Sequence, residues 1–96
     1  MDSSLAARIT YLCESSGVKS REALSLACGL SAGHLGLFAR GAYPSMTTTV
    51  ASKIASTFGC SLDWLIAGKG TRPPAARVRA AVAKAREDQG PDPKAA

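Results

Sequence analysis

From Ser4 to Gly70 the chain repeats one piece of punctuation: a serine, apolar residues at helical spacing, then a glycine. A serine side-chain oxygen satisfies an orphan N–H in the first turn of a helix. Glycine closes the last turn because it takes the left-handed conformation without a Cβ clash. Starts and stops this close together predict a set of short helices.

A first helix is expected from about Ser4 to Ser16, with Leu5, Ile9, Leu12 and Cys13 on one face and Gly17 closing it. A second begins after Ser20, turns Leu24 and Cys28 inward, and stops at Gly29. A third follows at once, starting at Ser31, burying Leu35 and Phe38, and ending near Arg40 and Gly41. After a loop through Ala42, Tyr43 and Pro44, a fourth is capped by Ser45 or Thr47 and carries Val50, Ile54 and Phe58, with Gly59 past its end. A short fifth starts at Ser61, with Asp63 suited to the helix dipole, and is broken by Gly68 and Gly70.

These helices assign residues 1–70 to one folded unit and residues 71–96 to a basic extension rich in Ala, Arg and Pro. Pro73 and Pro74 mark its start, and a sixth helix fits from about Ala75 to Asp88. Its apolar face is thin, with only Val78 and Val82 among alanines, so such a helix is marginal unless packed on the domain or on a partner chain. The stretch from Gly90 to Ala96 is expected to be a disordered tail.

Twelve Lys and Arg against seven Asp and Glu give a net charge of +5, which favours polyanionic partners but equally fits a solvated basic surface. The absence of a membrane-spanning apolar run and of a secretory start after Met1 leads to the expectation of a cytoplasmic protein. Cys13, Cys28 and Cys60 are odd in number and widely spaced, which suggests neither a disulfide framework nor a zinc site and fits small buried apolar residues. No metal or cofactor is expected.

The segment from Arg21 to Arg40 carries the most information. Two helices meeting steeply across a short turn need a small residue at their crossing, a glycine in the turn and apolar residues to set their angle, and Ser25, Gly29, Leu24, Leu30, Leu35 and Phe38 meet those needs. Such a unit presents its second helix as a rod narrow enough for the major groove of B-DNA. Ser20-Arg21-Glu22-Ala23-Leu24, Gly29-Leu30-Ser31 and Ala39-Arg40-Gly41 resemble the start, turn and exit of the Cro-and-repressor (XRE) helix-turn-helix family. The segment from Phe58 to Gly68, with Leu62-Asp63-Trp64-Leu65 inside it, is similar to that family's closing motif, and the resemblance runs from about Leu5 to Gly68.

The resemblance implies an all-α, five-helix lambda-repressor-like domain, with a sixth C-terminal helix as an option, that binds double-stranded DNA as a homodimer. It implies base contacts from Ser31, Ala32, Gly33 and Leu37, and backbone contacts from Ser20, Arg21, His34 and Arg40. Family members commonly pair near the fifth helix, which makes Leu62, Trp64 and Leu65 the candidate dimer surface. The sequence departs from the family in one respect. It has no asparagine, and its one glutamine is Gln89, so the expected folded domain has no bidentate contact to adenine. Ala32 and Leu37 suit thymine methyls and Ser31 one hydrogen bond, so phosphate contacts and groove shape are expected to supply much of any DNA affinity.

Other chemistries are poorly supported. Gly29-Leu30-Ser31-Ala32-Gly33 matches the nucleophile elbow of hydrolases, but that motif needs a preceding strand and a large sheet, and here a helix precedes it. His34, the one histidine, has no metal-ligand partners at suitable spacing. Trp64 and Phe58 at helical spacing fit a core or dimer contact better than a platform for bases. Arg77, Arg79, Lys84 and Arg86 suit either a solvated or dimer-packing helix face or an arm that reaches DNA. The expected function is transcriptional regulation by a non-enzymatic DNA-binding protein. The competing reading is a protein-interaction module, antirepressor or antitoxin-like, that keeps the fold with little base readout.

Overall fold

The structure, a computed structural model, describes residues 4–43 and 45–88. It is all-α: six helices, α1 (Leu5–Ser15), α2 (Arg21–Ala27), α3 (His34–Ala39), α4 (Thr48–Phe58), α5 (Leu62–Ala67) and α6 (Ala75–Asp88), with no strand among the described residues. The expected tail from Gly90 to Ala96 lies outside the described residues.

The serine and threonine starts act as anticipated at four helices. Ser4, Ser20, Thr47 and Ser61 accept from the N–H groups of Ala7, Ala23, Val50 and Trp64 at 3.1 to 3.3 Å. Of the two candidates for the start of α4, Thr47 is the cap. The third helix differs: it starts at His34 instead of Ser31, behind Gly33 and without a side-chain cap.

The inward residues follow the helical periodicity. Ile9, Leu12, Leu24, Leu35, Ile54, Phe58 and Leu65 are completely buried, and α1 touches α3, α5 and α6 around them. The thin face of α6 suffices because it lands on this same core. Val78 and Val82 are buried against the surfaces of α1, α2 and α4 that the helix covers, so the segment after Pro74 shares the core of the preceding helices. At Gly59 the backbone is left-handed (φ +71°), and a Cβ there would stand 2.9 Å from the Ala81 Cβ, so glycine allows α6 to lie close to the end of α4.

Two polar contacts fix the outer elements to α1. Arg8 is buried, and its guanidinium donates to the Leu65 carbonyl at 2.8 Å and the Ile66 carbonyl at 3.0 Å, in the last turn of α5. The carbonyls of a last turn lack intrahelical partners and carry the negative end of the helix dipole, so a cation suits the place. Tyr11 donates its hydroxyl to the Pro73 carbonyl at 2.6 Å, while its ring meets Trp64 edge-on and Arg72 lies 4.4 Å from the ring centroid. That clamp orients the 71–74 segment and with it α6.

Candidate nucleic-acid interface

The unit formed by α2, its turn and α3 is held by backbone and side-chain hydrogen bonds together. After the C-cap Cys28, the Gly29 N–H donates to the Leu26 carbonyl and the Leu30 N–H to the Ser25 carbonyl, a Schellman closure that needs the left-handed Gly29 (φ +79°). Ser25, completely buried at the crossing, then links the helices directly. Its hydroxyl donates to the Ser31 carbonyl at 2.5 Å and accepts the Leu35 N–H at 3.2 Å.

This linkage explains the late start of α3. Ser31 contributes its carbonyl, shared between the Ser25 hydroxyl and the His34 N–H, whereas the Leu35 N–H, an orphan of the first turn, is satisfied from α2. Gly33 and Gly36 lower the helical preference of the stretch further. Ser31, Ala32 and Gly33 therefore form an exposed turn leading into α3, and are not its first helical residues. Leu37 is half-buried on α3 itself.

Of the residues expected near a DNA backbone, Arg21 and Arg40 are exposed at the start of α2 and the end of α3, and Ser20 is engaged as the cap of α2. His34 is half-buried, and its imidazole stacks on Phe38 with centroids 5.2 Å apart and planes 17° from parallel. Tyr43 meets both rings edge-on, at 6.2 Å from His34 and 5.2 Å from Phe38, so the chain leaving α3 folds back along the helix. Neither this aromatic cluster nor the Ser25 linkage is visible as such in the sequence, because each joins residues through the tertiary path of the turn.

The expected dimer surface requires correction. Trp64 and Leu65 are 5% and 0% exposed within the single chain, because α5 turns them toward α1, where Tyr11 and Arg8 hold them. Leu62 and Ile66, four residues apart, take the outward face of α5 at 36% and 44% exposure. The inward position of Arg8 was also missed, although its spacing from Leu5 and Leu12 places it on the buried face of α1.

Burial pushes the thiols of Cys13, Cys28 and Cys60 up to about 11, against opposing influences from Arg21 at Cys13, from a Thr57 hydrogen bond at Cys28, and at Cys60 from a backbone hydrogen bond and then Arg77. Such thiols are poor nucleophiles near neutral pH. No group of three or more His, Cys, Asp or Glu side chains among the described residues could hold a metal ion, and no described helix is long and apolar enough to cross a membrane. Comparison of the chain with protein-family models, curated proteins and solved structures finds no match.

Proposed function

We propose that this protein is a helix-turn-helix regulator of the lambda-repressor-like type, acting non-enzymatically in the cytoplasm on double-stranded DNA. The observation that carries the reading is the α2–turn–α3 unit, tied through buried Ser25, with Ser31, Ala32 and Gly33 exposed at its turn and Arg21 and Arg40 at its two ends. Exposed guanidiniums suit phosphate oxygens, while the small side chains at the turn allow close approach to a groove. Ala32 and Leu37 supply apolar contacts for thymine methyls, so discrimination comes from methyl contacts and groove shape more than from hydrogen bonding. Pairing into a homodimer uses Leu62 and Ile66 on the outward face of α5.

A second reading is favoured by the brevity of α3, which is six residues long and has open space around both Gly33 and Gly36. A short, smooth helix also suits a groove on a protein, as in an antirepressor or antitoxin-like subunit. Fluorescence anisotropy on the duplex upstream of the protein's own gene and on a scrambled duplex, at low and near-physiological salt, separates the two. Regulation by DNA binding requires salt-sensitive affinity with preference for the upstream duplex. Absence of binding to either duplex at low salt overturns the DNA reading in favour of the protein-interaction one.

A further inference from the structure

We infer that α6 carries a second phosphate-contacting edge, in which Arg79 and Arg86 join Lys19 of the α1–α2 turn and Arg21 at the start of α2 to grip the backbone of a DNA duplex. The inference rests on the DNA-binding reading and extends it to a helix outside the helix-turn-helix unit.

The placement of Arg79 carries the argument. Its side chain lies across the α1–α2 turn, with Nε 3.3 Å from where a Cβ on Gly17 would stand. Gly17 lines a groove together with Lys19, Ser20 and Arg21, so Arg79, lying against Gly17, stands beside the surface from which α2 begins. Arg86 follows seven residues later and shares that flank of α6, at a distance of about 10 Å along the helix, close to three base-pair steps. Buried Val78 and Val82 bracket Arg79 in sequence, so the guanidinium projects from an anchored helix.

The electrostatic surroundings suit an anion. Lys19, Arg21, Arg79 and Arg86 are all exposed. Glu14 and Glu22 line the same groove, yet neither forms an ion pair with these cations among the described residues. The donors therefore retain capacity for phosphate oxygens. On the opposite flank, Arg77 lies toward Gly59 and the end of α4, with Nε 3.9 Å from the corresponding Cβ position, and Lys84 follows it by seven residues. The two flanks thus offer variants of equal charge loss but different position.

The test is duplex binding by the full chain across a salt series, comparing Arg79→Ala/Arg86→Ala with Arg77→Ala/Lys84→Ala after both are shown to melt like the parent. Loss of two phosphate contacts lowers the slope of log affinity against log salt by about 1.8 in the first variant, while the second keeps the parental slope. Equal weakening of both overturns the inference, because net charge alone accounts for it. Parental affinity in the first variant, with Arg21→Ala/Arg40→Ala impaired, overturns the second edge and leaves the DNA reading standing. No binding by the parent at low salt removes both.

Discussion

Ser25 on α2 and Leu35 on α3 are joined by a hydrogen bond of 3.2 Å from the Leu35 backbone N–H to the Ser25 hydroxyl, inside the protein. A side chain of one helix thereby does the work of the missing cap on the next. The same hydroxyl donates to the Ser31 carbonyl, so it holds the turn and the start of α3 at once.

Replacement Ser25→Ala removes both bonds and leaves the buried Leu35 N–H without its acceptor. The expected loss is about 1–3 kcal/mol of stability, measured by urea unfolding followed through Trp64 fluorescence. Amide exchange should accelerate at Leu35 more than at Val82, since only the former loses a partner.

Arg8→Met keeps much of the apolar stem but abandons the Leu65 and Ile66 carbonyls. Charge-assisted hydrogen bonds are each worth about 1.5–3 kcal/mol, so the midpoint of urea unfolding falls clearly. Arg8→Lys recovers only part of the loss, because an ammonium cannot reproduce the guanidinium fork. Equal stability of the Arg8→Met variant and the parent would remove the helix-end role assigned to this side chain.

Gly59→Ala meets two obstacles, a left-handed backbone at φ +71° and an Ala81 Cβ 2.9 Å from the new atom. The backbone alone costs about 1–2 kcal/mol. Combining it with Ala81→Gly relieves the contact and not the backbone, so a double-mutant cycle should return a favourable coupling of about 0.5 kcal/mol or more.

Gly36 lies inside α3 with open space around the position of a Cβ. Gly36→Ala should therefore raise stability by about 0.5–1 kcal/mol through the reduced entropy of the unfolded chain. If α3 approaches a duplex closely at this point, the same variant binds DNA more weakly while melting at a higher temperature, which thermal melting and anisotropy together reveal.

The thiols give a pH dependence of defined sign. Their ordinary value of 9.0 is raised to about 11 on folding, so between these values the folded chain holds more thiol protons than the unfolded one. Stability from this source is complete below pH 9 and falls as pH rises through 11. Urea melts at a series of alkaline pH values check the slope, and replacing all three cysteines by alanine should flatten it. At neutral pH the folded protein reacts slowly with a thiol reagent, with half-buried Cys60 first.

By itself the sequence determined the all-α class, the order of the helices and most inward positions, because caps, glycine stops and 3.6-residue periodicity act within a few residues of chain. Ser20, Thr47 and Ser61 are legible on those grounds, as are Leu24, Leu35 and Ile54. The start of α3 was not, because the group that satisfies its Leu35 N–H comes from Ser25, ten residues earlier and across a turn. The same reason separates Leu62 from Trp64 and Leu65 on α5: on so short a helix, only the position of Arg8 and Tyr11 decides which apolar residues face inward. Tertiary structure also decided that Arg79 lies over Gly17 and Arg77 toward Gly59, since a charged helix face acquires a direction only when its thin apolar side, Val78 and Val82, finds a core to cover.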